Sequence, residues 1–536
     1  MDRIEERIIQ IIDQNAPRLQ AMAEDIFTHA EQGFHEYRTA KLAADYLREL
    51  GLAPEEGLAV TGVKARIGQG GPNVALVGEL DGLSCPSHPN ATEAGFAHAC
   101  GHYAQMISIL GAALALSDPE VKASLGGTAT IFAVPAEEFL DASVREEVKN
   151  SHGVRYSGGK SELIRLGAWD DIDMAVTDHS LMAGRDSDVD LMLGNSACSG
   201  FVGKTVYIHG KAAHAAAAPH EGVNALNAAS LGMAALGMIR ETFQEKDYVR
   251  VHPYIRKGGD AINVVPSEVI VDMMVRAASL PAINEASQKV DRAFRGAAMA
   301  IGAHCDIVDA QGYLPVKETA PGDVLWQAAR PLMDRGVVAA AIPQGLQNTA
   351  STDVGDLQAI MPVLNFTFGG TSGALHSKEF AVTNPYIANI MPAQMMALTA
   401  YHLLKNGAAE AKKILAEEKP AMTKQEYLCY AEEMHKGELK PLAQKSIGEK
   451  YEHHERLASQ IWKLRKKPRR LHHKNRRHTD LLRGGAGAAR RDGQAGNANG
   501  CGCRGKPARV SSRQRQECKI HCHRLASGHR DQRRHV

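Results

Sequence analysis

Short apolar runs recur along most of this chain, and each is separated from the next by a helix-like stretch. Residues 74–80 and 128–134 read as buried strands with the apolar helix 103–116 between them. Another strand ends at Thr177, and 362–368 supplies one far along the chain. The helix 39–50 places Leu42, Ala43, Tyr46, Leu47 and Leu50 on one face and stops at Gly51, a residue suited to a helix C-cap. This alternation predicts an α/β architecture. The middle of the chain has a different rhythm: strand 202–208, Ala-rich helix 223–239, strands 249–255 and 269–275, helix 283–300 and strand 305–308. That βαββαβ order fits a small ferredoxin-like unit. It predicts an insertion at about residues 196–310 that splits a larger domain into 1–195 and 311–406.

At 536 residues, 44% of them hydrophobic, the chain is too long for one compact unit and too apolar to be disordered throughout. No stretch approaches the roughly 18 consecutive apolar residues that span a bilayer. The opening residues 1–13 alternate Arg3, Glu5, Glu6 and Arg7 with Ile4, Ile8, Ile11 and Ile12, an amphipathic helix and not a secretory leader. A cytoplasmic protein is expected. Beyond Gly407 a Glu/Lys-rich stretch to residue 462 predicts exposed helices. From 463 onward 22 Lys and Arg face 4 Asp and Glu, although the whole chain carries a formal charge of only +1. This tail has almost no apolar periodicity and is expected to be disordered. Its abrupt Arg, Gly, Cys and His enrichment favours out-of-frame translation over a zinc-binding tract or a nucleic-acid-binding arm, so nucleic acid is a partner only if the tail is genuine. The five cysteines of the body are scattered and do not form a disulfide framework.

Ligand-type side chains follow the strands. Asp81 comes just after the first run, and the segment His98-Ala99-Cys100-Gly101-His102 opens the helix 103–116. Glu137 and Glu138 follow 128–134, His179 follows the strand around Ala175, and His376 follows 362–368. Singly, each is better read as a structural histidine, a solvated turn or a small buried thiol. Together they put carboxylate, imidazole and thiolate groups where an open α/β sheet presents its binding crevice, which points to a metal site.

The motifs ACGH, PAEE, GKAAHAAAAPHEGVNAL and GALHS resemble those of the M20 metallopeptidase family, in particular its amidohydrolase branch of aminobenzoyl-glutamate, hippurate and indoleacetyl-amino-acid hydrolases. The resemblance covers about residues 1–406. It implies a discontinuous, zinc-peptidase-like catalytic domain, a mixed sheet flanked by helices, with an inserted lid and dimerisation domain. It implies two divalent metal ions, Zn2+ or Mn2+, bridged by Cys100 and completed by His102, Glu138, His179 and His376. Glu137 would be the catalytic carboxylate and Asp81 would orient a ligand imidazole. His214, in the insertion, matches a histidine that reaches across to the oxyanion in a partner protomer, which implies a homodimer. Asn263 and Arg276 match substrate-binding positions. The implied activity is hydrolysis of an N-acyl or N-aroyl amino-acid amide, with a dipeptidase, an N-deacetylase or a metal-poor binding homologue as alternatives. The chain departs from the pattern at Tyr103, where an acidic residue is common, and at Phe139-Leu140, where glycines are frequent. A bulky Phe139 is expected to reshape the acyl pocket. The segment STDVGD, 351–356, reads as a supporting loop near the last ligand strand.

Overall fold

The computed structural model describes residues 1–181 and 189–434. The segment 435–462 of the expected helical extension and the whole basic tail 463–536 lie outside the described residues. Three helices open the chain, α1 (Arg3–Gln14), α2 (Ala16–Thr28) and α3 (Tyr37–Glu49). Strands β1 (Glu55–Leu58), β2 (Gly62–Gly68) and β3 (Asn73–Glu79) follow, then α4 (His102–Leu116), β4 (Thr128–Val134), α5 (Ala142–His152), α6 (Gly159–Leu166), β5 (Met174–Ser180) and β6 (Leu191–Leu193). After the middle segment come α9 (Asp323–Met333), β11 (Ala339–Ala341), α10 (Val354–Ile360), β12 (Val363–Phe368), α11 (Met391–Glu417, broken at Lys405–Ala408) and α12 (Lys424–Met434).

The large sheet has eight strands in the order β1-β2-β4-β3-β5-β12-β6-β11. Its centre, β4-β3-β5-β12, is parallel, and β2 and β6 run against it, so the sheet is mixed as expected. Every residue of β3 and of β4 is buried. Side chains alternate across a strand, so both faces of the sheet must be covered. Val74 and Leu76 face one core with Ile131 and Val176, where α1, α4 and α11 pack; Ala75 and Val77 face another with Phe132 and Val134, covered by α6, α10 and α12. Helix α4 is buried on nearly all sides because it lies between the sheet and these outer helices.

The middle segment folds as β7 (Gly200–His209), α7 (Ala225–Ile239), β8 (Arg250–Lys257), β9 (Glu268–Ala277), α8 (Leu280–Ile301) and β10 (His304–Ala310). The four strands form a separate antiparallel sheet in the order β8-β9-β7-β10, and α7 and α8 close a third core on one of its faces. This is the ferredoxin-like βαββαβ arrangement. The described end of the extension differs from the expectation of exposed helices. Tyr427 and Ala431 of α12 are wholly buried, and the Tyr427 hydroxyl donates to Asp356 Oδ1 at 2.9 Å, so this helix is part of the second core. No described helix is long and apolar enough to cross a membrane.

Candidate metal centre

Strands β3, β4, β5 and β12 are mutually parallel, so their C-terminal ends share one edge of the sheet. There the chain leaves β3 through Glu79 to Asp81, leaves β4 through Pro135 to Glu137 and Glu138, ends β5 at His179 and Ser180, and leaves β12 toward His376. The fifth contribution is the start of α4. Gly101 caps that helix at φ +100°, and a Cβ there would lie 2.3 Å from Ser180 Oγ. Only glycine permits that close turn, which presents Cys100 and His102 on either side of it toward the same edge.

The thiol is the meeting point. Cys100 Sγ lies 3.4 Å from His179 Nε2 and 3.2 Å from His376 Nε2, and the latter atom is 3.2 Å from Glu138 Oε1. Among the described residues three overlapping sets have ligand-type atoms within 4.8 Å of one another: Cys100, His102 and His179; Cys100, Glu138 and His376; and Glu79, His102 and Glu137. Ring orientation is fixed from behind. His102 Nδ1 sits 2.9 Å from the Asp81 carbonyl oxygen and 3.2 Å from its carboxylate, His179 Nδ1 sits 2.9 Å from the Ser180 carbonyl, and the Glu138 N–H donates to Asp81 Oδ2 at 2.9 Å. His179 therefore turns its Nε2 toward the thiol and His102 turns its own toward Glu79, the arrangement by which a second group orients a ligand. His102 Nε2 and Glu138 Oε1 are buried, and among the described residues the contacts that meet them are ionic, from Glu79 Oε2 at 3.1 Å and His376 Nε2 at 3.2 Å.

Burial opposes a thiolate at Cys100, but His179, and then His102, outweigh it and bring the thiol down to about 5. Hydrogen bonds to Cys100 and Glu138 hold His376 up at about 11. Glu137 is pushed well above the usual carboxylate range, first by burial and then by Glu79, Glu138 and Asp353. A thiol held toward its ionised form among closely grouped carboxylates and imidazoles is a set that divalent cations fit.

Not every expected residue joins this group. Arg276 comes near it: its guanidinium lies 5.2 Å over the Phe201 ring and donates to Ser351 Oγ at 2.8 Å, and the charges of Glu137 and Glu138 are close enough to support its cation. His214, between β7 and α7, and Asn263, between β8 and β9, lie on two adjoining loops of the middle segment and are outside the group around the thiol. His214 Nδ1 accepts from the Ala216 and Ala217 N–H groups, and Ala215 N–H donates to the Asn263 carbonyl.

Two residues escaped the sequence reading. Glu79 ends β3 with Oε2 3.1 Å from His102 Nε2 and accepts from Gln105 Nε2 at 2.9 Å. Lys160, wholly buried, donates to Glu79 Oε1 at 2.6 Å and to Asp353 Oδ1 at 2.5 Å. The acidic pair in Gly-Glu-Leu-Asp was a usable signal for Glu79. Nothing local marks Lys160, which stands in an ordinary helical pattern.

Residues 197–301 match the model of the M20 peptidase dimerisation domain. A dinuclear metal-binding peptidase of the M20 family from Bacillus subtilis shares the fold at a TM-score of 0.51 with 20% identity, over 72% of this chain and 98% of that one. The middle segment is thus an M20 peptidase dimerisation domain, and the chain's relatives and structural neighbours are M20 proteins. The chain is a hydrolase of amide bonds, and the M20 family is metal-dependent. Among curated M20 relatives, the Xaa-Arg dipeptidase of Mus musculus is 27% identical over 437 residues, 75% of this chain and 90% of the relative. One of the p-aminobenzoyl-glutamate hydrolase polypeptides of Escherichia coli K12 is 28% identical over 310 residues, 56% of this chain and 59% of that polypeptide.

Proposed function

We propose that this M20 chain hydrolyses the amide bond of an N-acyl or N-aroyl amino acid at a site holding two divalent cations. Cys100, His102 and His179 would hold one of them, and Cys100, Glu138 and His376 the other. The observation that carries this reading is the convergence of His179, His376 and Glu138 around Cys100 from three separate elements, the two imidazoles on the sulfur and the carboxylate on His376. Zn2+ or Mn2+ suits such a mixed S/N/O set and, when bound, supplies Lewis acidity toward the amide carbonyl and a lowered pKa for water.

Glu137 takes the proton from the attacking water and returns it to the leaving nitrogen. Its raised proton affinity suits both halves of that task. The Tyr313 hydroxyl donates to the Glu137 carbonyl oxygen at 2.5 Å and so holds the backbone that carries the carboxylate. Arg276, whose fork has only Ser351 and Met274 as neutral partners, receives the carboxylate of the substrate. Residues 1–195 and 311–406 act as the catalytic domain and 196–310 as the lid. The chain works as a homodimer through the lid, with His214 of one protomer serving the oxyanion of the other. A dipeptide substrate is the second reading, favoured by the greater coverage of the mouse dipeptidase.

Metal analysis combined with a panel of acyl-amino acids and dipeptides tests the reading. About two metals per chain are expected in the native protein. Glu137→Gln should keep its metal and lose about 10^2- to 10^4-fold in turnover, the range of a general base. Cys100→Ala should lose metal as well. Full turnover in Glu137→Gln, or unchanged metal in Cys100→Ala, would refute these assignments.

A further inference from the structure

The face of the small sheet opposite α7 and α8 is not bare. It closes over the segment that follows Glu138, and between the two lies a cavity of about 340 Å3 lined by Phe139, Arg145, Arg250, Asp272 and Arg276 among others. The register sets Arg250 opposite Arg276 and Tyr254 opposite Asp272 on β8 and β9, so these side chains share one face. The fit is close: a Cβ at Gly203 of β7 would lie 2.8 Å from Phe139 Cζ.

The charges around this cavity do not cancel. Lys204 is taken up by Asp291 at 2.8 Å and Asp309 at 2.5 Å, and Asp272 by Arg256 at 2.6 Å. Among the described residues Arg250 donates to a neutral group, the Val249 carbonyl, and Arg276 to the Ser351 hydroxyl and the Met274 sulfur. Arg145 lies 4.5 Å over the Phe139 ring, and its Nε and Nη1 are buried with no hydrogen-bond partner. Three guanidinium groups thus line the cavity with two carboxylates, Asp141 and Asp272, and the second is already paired with Arg256. A guanidinium whose Nε and Nη are both unmatched presents the fork that a carboxylate fills with two parallel bonds. Asp272 and Asp141 support the Arg145 cation only from a distance, so an empty fork keeps a desolvated charge without a hydrogen-bonded counter-ion. Arg276 ties the cavity to the reaction centre, since it lines the one and lies within electrostatic reach of Glu137 and Glu138 in the other.

We propose that this cavity binds a second carboxylate of the substrate, with Arg145 as the residue that selects it, so that the chain acts on amides of acidic amino acids in preference to neutral or basic ones. The assignment of a substrate class rests on the amide-hydrolase reading above; the anion site itself does not. Glutarate, a dicarboxylate with no amide bond, is therefore titrated calorimetrically into the full-length wild-type protein and into Arg145→Gln. Saturable binding that weakens at least tenfold in Arg145→Gln, and less in Arg145→Lys, is the expected result. No binding to wild type, or equal affinity in Arg145→Gln, overturns the proposal, and the wild-type titration decides even if a variant fails to fold. In parallel, kcat/KM is compared for p-aminobenzoyl-glutamate and p-aminobenzoyl-glutamine. The preference for the glutamate form should fall at least tenfold in Arg145→Gln, and an unchanged preference also overturns the proposal. If wild type cleaves neither compound, the amide-hydrolase reading fails and the glutarate result alone decides the pocket.

Discussion

Lys160 offers the sharpest test of how the centre is held. Its ammonium is wholly buried between Glu79 and Asp353, themselves at most 2% exposed, and both carboxylates take their shortest contact from it. Substituting Lys160→Met keeps the length of the side chain and removes the charge. Two buried carboxylates then face each other with weaker partners: Glu79 retains Gln105 and His102, and Asp353 retains the backbone N–H of residue 160. Removing one member of a buried ion pair costs about 3–5 kcal/mol, and two stranded carboxylates place this case in the upper half of that range. At about 4 kcal/mol the folding equilibrium shifts roughly a thousandfold. Urea unfolding of the full chain at pH 7 measures it. The pH dependence supplies an independent check. Burial would raise Glu79, but Lys160, with His102 and His179, holds it down from 4.5 to about 2. A depressed folded pKa gives stability that is present above pH 4.5 and lost as pH falls toward 2. Lys160→Met lacks that contribution, so its deficit should shrink over the same interval. A loss below about 1 kcal/mol at pH 7, or a deficit independent of pH, would refute the account of Lys160 as the counter-charge of this cluster.

Glu36 should produce a slope of opposite sign. Burial, and then Asp81, raise its pKa from 4.5 to about 8, while its oxygens accept from Thr61 Oγ1 at 2.6 Å and the Ala136 N–H at 2.8 Å. The unfolded chain releases this proton first, so stability falls as pH rises from about 4.5 to 8, and Glu36→Gln should flatten the fall in urea midpoints across that window. Tyr427→Phe removes the donor to Asp356, whose other oxygen already has no partner. The expected loss is about 1–3 kcal/mol in urea unfolding, and no loss would mean that α12 docks by apolar packing alone.

How far the site was legible can be read from its members. Cys100, His102, Glu138, His179 and His376 each follow a strand or open a helix, and that placement is local: an apolar run of strand length ends, and the next polar residues lie at the sheet edge. Phe139 was legible only as a bulky departure. Its actual neighbours are Phe201 at 4.9 Å and Arg145, and the second belongs to a helix the sequence pattern did not single out. The segment 351–356 was open to reading as a polar turn. Its Asp353 and Asp356 are wholly buried, where Lys160 and Tyr427 reach them from other elements.

The amino-acid order alone determined the alternation of strands and helices, the βαββαβ rhythm of the middle segment, and the chemistry waiting at each strand end. Those follow from side-chain periodicity and from short-range backbone preference. Tertiary structure decided which of these groups touch. Lys160 meets Glu79 across 81 residues of chain and Asp353 across 193, and Arg145 faces a sheet that begins at Gly200. Such pairings depend on topology and on the exclusion of water. A buried charge must find its partner wherever the fold brings one.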